Sequence, residues 1–211
     1  MRNMLTRTRP RNGIAALRRF VQAQPVERCE LCAVVIGETH PHLLEPAESR
    51  LLCACFACAH AAGSKPDGRF RLVPNRVEAL ADFRIGDAEW HALGLPIEMA
   101  WLLHSTPAGR PVAFHPGPAG ATQSLVAPEA WAALVARNPV LATFESDVEA
   151  LLVNRLSGRR LYYRVPIDRC FELVGLIRTR WQGWSGGDAV WQAIDEYFAR
   201  LAPPPSKGRA A

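Results

Sequence analysis

Four cysteines arranged as two pairs constrain the fold of this chain more than any other feature of its sequence. Each pair has the spacing Cys-x2-Cys, and 22 residues separate the pairs, which are Cys29/Cys32 and Cys55/Cys58. In zinc ribbons two such pairs supply four thiolates to one tetrahedral ion. The separation exceeds the usual roughly 15 to 20 residues, and the loop between the pairs can absorb the difference. We therefore predict one tightly held metal ion per chain, bound by these four cysteines.

The donor set leaves two metals open, of which we predict zinc. Four thiolates also hold the iron of a rubredoxin-type centre, so iron is the alternative. Rubredoxin knuckles usually carry a glycine after the second cysteine, whereas Ala33 and Ala59 follow here. Many zinc ribbons share that glycine, and it therefore does not separate the two metals. A site with four protein ligands has no open position for a substrate water, which predicts a structural ion.

Three further residues near the cysteine pairs are possible metal ligands. Cys53 lies two residues before Cys55, and in an extended strand both would point to the same side. We interpret Cys53 as a thiol that lies beside the site but outside the ligand set. His40 and His42 lie between the pairs and could replace a cysteine ligand. Because four thiolates already complete the site, we interpret both histidines as packed or solvated side chains.

Composition and cysteine usage predict a cytoplasmic address. The chain is 49% apolar and 21% charged, which is typical of a globular protein. We recognise no export signal, and five of the six cysteines lie between residues 29 and 58. Clustered thiols of this kind are more typical of a metal site in a reducing compartment than of a disulfide scaffold. No run of about 18 apolar residues occurs, so we predict no transmembrane helix.

The order of signals predicts an α+β protein in which a zinc-ribbon or rubredoxin-like four-cysteine module precedes a mixed α+β domain that ends in two helices. Within the larger domain we expect a Pro/Gly loop over residues 115–121 and a short helix over residues 147–154. Asp168 is expected to cap the first of the two closing helices. The predicted organisation is a basic arm (1–24), the metal module (25–75), the α+β domain (76–201) and a flexible tail (202–211).

No group of residues forms a convincing catalytic set. Residues 183–187 match the Gly-x-Ser-x-Gly pattern of a hydrolase elbow, but they lie between two predicted helices. In such hydrolases the elbow joins a strand to a helix, and the catalytic histidine follows it. No histidine follows His115 in this chain. We therefore leave an enzymatic activity open and favour a non-enzymatic role.

Several motifs resemble those of a bacterial family of unknown function that is encoded beside genes for high-affinity nickel-iron hydrogenases and their maturation factors. The resemblance spans most of residues 27 to 201. The motifs that carry it are Cys29 to Cys32, His40 to Leu43, Leu51 to Cys58, Pro118 to Thr122 and Gly186 to Trp191. It implies an accessory role in hydrogenase assembly or maturation, through contacts with a hydrogenase component or a maturation factor. It implies no catalytic residue.

Two alternatives to the accessory role stay open. The arm from residue 1 to 24 contains six arginines and no acidic residue, so a nucleic-acid-binding zinc-ribbon regulator is the first. We disfavour it because the tryptophans that could stack on bases are far from the arm in sequence. The second is a rubredoxin-like electron carrier with iron in the same four thiolates.

Overall fold

The sequence between the cysteine pairs forms two strands of a small antiparallel sheet, and a third strand follows the second pair. The computed structural model describes residues 26–65 and 68–201, so the predicted arm and tail lie outside the described residues. The sheet has the order β2-β1-β3. Helix α1 (Phe56–Gly63) packs on this sheet at Gly63. A Cβ added to Gly63 would lie 2.8 Å from the Cβ of Leu72, so this close approach favours glycine. The three strands are β1 (His42–Glu45), β2 (Arg50–Cys53) and β3 (Arg71–Leu72).

A larger antiparallel sheet of six strands forms the centre of the remaining chain. Its order is β4-β9-β8-β5-β6-β7. The central strands β5 and β8 are buried along nearly their whole length, because helices cover both faces of the sheet. The strands are β4 (Glu78–Ala79), β5 (Met99–Ser105), β6 (Arg110–Gly117), β7 (Gly120–Leu125), β8 (Glu149–Asn154) and β9 (Leu161–Pro166).

The larger domain ends in two helices, as the sequence predicts, and these helices cover one face of the sheet. They are α4 (Ile167–Arg180) and α5 (Asp188–Arg200). Apolar residues at helical spacing, such as Leu173 and Ile194, place their side chains in one core with alternate residues of β5, β8 and β9. The turn between the helices contains Gly186 and Gly187, both with positive φ, which glycine adopts without a Cβ clash.

A second core lies on the opposite face of the six-stranded sheet. There α2 (Asp87–Ala92) and α3 (Pro128–Arg137) contribute Trp90 and Leu134 to a cluster with Leu102, Leu151 and other residues of β5 and β8.

The predicted α+β class, with a four-cysteine module before a mixed domain, is confirmed. No helix in the described ranges 26–65 and 68–201 combines the length and apolar character that crossing a membrane requires.

The small sheet joins the larger domain through one of its faces. Leu43 and Leu52 pack with Cys29 in a small core under the cysteine module. Leu44 of β1 instead belongs to the large core with α4 and α5, because successive side chains of a strand point to opposite faces. The small sheet therefore lies between the cysteine pairs on one side and α4 on the other.

The structure corrects three predictions about local elements. Residues 147–154 form no helix, because Asp147 adopts φ 68° and residues 149–154 are strand β8 between β5 and β9. The predicted loop over residues 115–121 is the tight hairpin between β6 and β7, in which Gly117 pairs with Gly120. Asp168 does not cap α4, whose N-cap is Pro166; the Asp168 carboxylate bonds to His42 instead.

Candidate metal centre

The sulfur atoms of Cys29, Cys32, Cys55 and Cys58 converge on one point. All four Sγ atoms lie within 4.8 Å of one another. The Sγ atoms of Cys32 and Cys55 are 3.8 Å apart. A tetrahedral zinc site with Zn–S bonds of about 2.3 Å has an S···S edge of about 3.8 Å, whereas a disulfide needs about 2.05 Å. The spacing therefore fits ligands of one ion.

The first pair lies in a tight knuckle between residues 28 and 35. The N–H of Cys29 donates to the carbonyl of Val34 at 2.9 Å, and the N–H of Ala33 donates back to the carbonyl of Cys29 at 2.8 Å. Ala33 adopts φ 61°, the left-handed conformation that favours glycine. Alanine thus occupies the backbone conformation for which metal knuckles commonly use glycine.

The second pair lies at the start of a helix and not at a hairpin end. Cys55 is the N-cap of α1, and its Sγ accepts a hydrogen bond from the N–H of Cys58 at 3.5 Å. A helix start offers free N–H groups and the positive end of the helix dipole, which favour negatively charged groups nearby. The two halves of the site therefore have different local structures, a knuckle and a helix start.

Glu30 holds the knuckle against the end of β2. Its backbone N–H donates to the carbonyl of Cys53 at 2.9 Å, and its Oε1 accepts from the N–H of Cys53 at 2.8 Å. Because α1 begins three residues after Cys53, this double contact brings the two cysteine pairs together. The contact explains how pairs separated by 22 residues share one site.

The electrostatics of the four thiols favour a bound cation. Burial alone would raise the pKa of Cys29, but hydrogen bonds from three backbone N–H groups, the first that of Cys55, lower it to about 6. Hydrogen bonds with Cys32 and Cys55, followed by burial, raise the pKa of Cys58 to about 12. Four adjacent thiolates repel one another unless a cation lies between them. Metal binding at this site therefore releases protons, as is typical of thiolate sites.

Cys53, His40 and His42 form a second group of possible ligands. A ligand atom of each lies within 4.8 Å of those of the other two, and the group shares no residue with the four-cysteine set. The expectation that Cys53 points to the same side as Cys55 is wrong for a simple reason. Strand β2 ends at Cys53 and helix α1 starts at Phe56, so strand alternation does not extend to Cys55.

One signal in the sequence connected two of these three residues. His40 and His42 alternate as residues on one side of a strand do. The position of Cys53 depends on the register between β1 and β2, in which His42 is directly opposite Cys53. A prediction that the apolar runs of β1 and β2 pair as a hairpin would have brought the three residues together.

The cysteine module exposes apolar side chains around the metal site. We call Leu31, Val34, Val35 and Phe56 the knuckle surface; Val35 is 54% exposed and Phe56 72% exposed. All four lie within the knuckle or at the first residue of α1. Clusters of exposed apolar residues on one module are typical of protein contact sites.

Comparison with known proteins gives one family match. Residues 28–204 match the sequence profile of a family described as a family of unknown function (DUF5947). Neither the curated proteins nor the solved structures contain a match to the chain.

Proposed function

The chain belongs to that family of unknown function, and we propose from its metal centre that it is a zinc-binding accessory protein in the assembly of a nickel-iron hydrogenase. The observation that carries the metal assignment is the convergence of four thiolates at tetrahedral spacing, with 3.8 Å between the Sγ atoms of Cys32 and Cys55. A four-thiolate ion has no open position for substrate. Its role is to fix the shape of the module.

Zinc suits this structural role because it has no redox chemistry and accepts tetrahedral thiolate ligands. The same four thiolates would hold iron in the rubredoxin-like alternative. Absorbance of the purified protein separates the two metals, since ferric thiolate centres are coloured and zinc centres are not. A red protein that contains one iron per chain would contradict the zinc assignment.

The proposed way of acting is contact with another protein through the knuckle surface. Leu31 and Phe56 come from the two halves of the site, and the ion holds these halves together. Apolar side chains on a backbone that a bound ion keeps in place can pack against a partner at a lower ordering cost. The hydrogenase as partner rests on the family resemblance of the sequence motifs. A cytoplasmic location follows from the same proposal.

A deletion strain of the native bacterium tests the function. We expect hydrogen uptake to fall while hydrogenase transcript levels stay unchanged, because an accessory protein acts after expression. Normal uptake would contradict the accessory role. A fall in transcripts would instead favour the nucleic-acid-binding regulator, and DNA binding by that regulator would weaken steeply with added salt.

Complementation of that strain separates the metal from the surface. The Cys29→Ser/Cys55→Ser variant should fail to restore uptake, because it loses the ion. The Leu31→Ser/Phe56→Ser variant should keep its zinc and still fail. A matched control is Leu125→Ser, which replaces a 62% exposed leucine on β7 and should restore uptake. Full activity of Leu31→Ser/Phe56→Ser would remove the knuckle surface from the proposal.

A further inference from the structure

The group formed by His40, His42 and Cys53 is a second constellation of metal-ligating atoms. It lies on the side of the small sheet opposite the four-cysteine core. Leu43 and Leu52 point into that core, so their strand neighbours His42 and Cys53 point away from it, toward α4. The group is therefore a site of its own and not an alternative ligand set for the first ion.

Backbone pairing places the three side chains. His42 and Cys53 are directly opposite in the antiparallel pair β1–β2, where Cβ atoms lie about 4.5–5.5 Å apart. The pairing continues to Pro41, whose carbonyl accepts from the N–H of Ala54 at 3.0 Å. His40 therefore lies on the same side as His42, and the centres of their rings are 4.9 Å apart.

Hydrogen bonds set both imidazoles in the tautomer that binds metals. Nδ1 of His40 lies 2.7 Å from the carbonyl of Gly37. A carbonyl can only accept, so Nδ1 carries the proton and Nε2 presents its lone pair. The His40 side chain is 7% exposed, and its buried Nε2 has no hydrogen-bond partner within residues 26–65 and 68–201. An acceptor nitrogen left without a donor in a buried place points to a ligand.

His42 has the same arrangement with a carboxylate as its partner. Its Nδ1 lies 2.9 Å from Oδ2 of Asp168, in the first turn of α4. Donation from Nδ1 to the carboxylate leaves Nε2 of His42 free to bind a cation. A carboxylate behind a histidine orients the imidazole for metal binding. Asp168 is thus a positioning residue that acts through His42.

The site opens onto a cavity. A cavity of about 760 Å³ has His40, His42 and Asp168 in its wall, together with Phe56 and His60 of α1. Three protein ligands leave the fourth position of a tetrahedral ion open to a water or another small ligand. This property separates the group from the four-thiolate site, which is closed.

We propose that His40, His42 and Cys53 bind a second divalent transition-metal ion, with an open coordination position at the cavity. Two imidazoles and one thiolate are donors of borderline softness, which suit zinc and its neighbours and not magnesium or calcium. On binding, the thiol of Cys53 releases its proton to solvent. The site goes beyond the proposed function, and its test does not depend on the hydrogenase.

Titration of the full-length protein with Co²⁺ tests the site. Protein that has been dialysed to keep only its tightly held ion is titrated, and absorbance records the Co²⁺–thiolate band. We expect saturation at about one added equivalent, with no zinc released. The His40→Gln/His42→Gln and Cys53→Ser variants should show no such band. The control His60→Gln, which changes an exposed histidine in the same cavity wall, should titrate like the unaltered protein.

Three results would overturn the proposal. They are the absence of a band in the unaltered protein, a band that persists in His40→Gln/His42→Gln, and release of one zinc for each cobalt bound. Retention of the tightly held ion in each variant shows that the module is still folded. If the double variant fails to fold, Asp168→Asn keeps all three ligands and should weaken Co²⁺ binding by roughly 10- to 100-fold. Unchanged affinity in Asp168→Asn would contradict the proposed site.

Discussion

Removal of the ion that we propose at the four cysteines should unfold the cysteine knuckle while the six-stranded sheet stays folded. Within the described residues, the knuckle from residue 28 to 35 has few hydrogen bonds to other segments, chiefly the contact of Glu30 with Cys53. Its side chains, other than that of Cys29, are mostly exposed. By contrast, β8 is buried along its whole length between β5 and β9. The two regions therefore depend differently on the metal.

The size of the effect follows from the small core under the module. Among residues 26–65 and 68–201, five are buried in this core, and the large ones are Leu43 and Leu52. Burial of each leucine contributes about 1.5–3 kcal/mol. Ordering the backbone costs about 1–2 kcal/mol per residue over residues 28–35, which exceeds that contribution. Structural zinc supplies about 10–16 kcal/mol in small zinc domains, so the metal decides whether the knuckle is ordered.

Hydrogen–deuterium exchange with mass spectrometry, before and after chelation, measures this directly. Amides of residues 28–35 and of α1 should lose their protection when the ion is removed, because the ion joins these two segments. Peptides from β8 serve as the internal control and should stay protected. Protection of the knuckle that survives complete metal removal would refute the reasoning, since the small core would then suffice.

Two substitutions test the backbone strain at Ala33 and the buried ion pair of Glu149 with Arg164. Ala33→Gly should raise the midpoint of thermal unfolding by up to about 4 °C. Relief of the left-handed backbone strain at residue 33 contributes about 1–2 kcal/mol, which exceeds the cost of about 0.4–1 kcal/mol from the greater chain entropy of glycine in the unfolded state. A lower midpoint would argue against strain at this position. Glu149→Gln should cost about 3–5 kcal/mol in urea unfolding at pH 7, since it leaves buried Arg164 unpaired. Burial would raise the pKa of Glu149, but Arg164 lowers it below its ordinary value. The ion pair therefore stabilises the fold at a pH above the ordinary value, and the stability difference between Glu149→Gln and the unaltered protein should disappear as the pH falls through the lowered pKa. A stability difference that does not change with pH would contradict this assignment.

Local patterns in the sequence determined the predictions that the structure confirms. Two Cys-x2-Cys pairs have only a few ways to present four thiolates, so their spacing alone predicted that Cys29, Cys32, Cys55 and Cys58 converge. The closing helices α4 and α5 were predictable because a 3.6-residue apolar period over 13 or 14 residues is a strong local signal. Neither inference needed the strand register or the helix docking of the larger domain.

Only the tertiary structure decided the features that depend on distant partners. The apolar run of residues 150–153 is compatible with a buried helix or a central strand, and pairing with β5 and β9 makes it strand β8. The second ligand group requires the register that sets His42 opposite Cys53, and a carboxylate 126 residues further along the chain at Asp168. Strand register and helix docking arise from packing of the whole chain. Residue spacing alone therefore cannot show which side chains the register and the docking bring together.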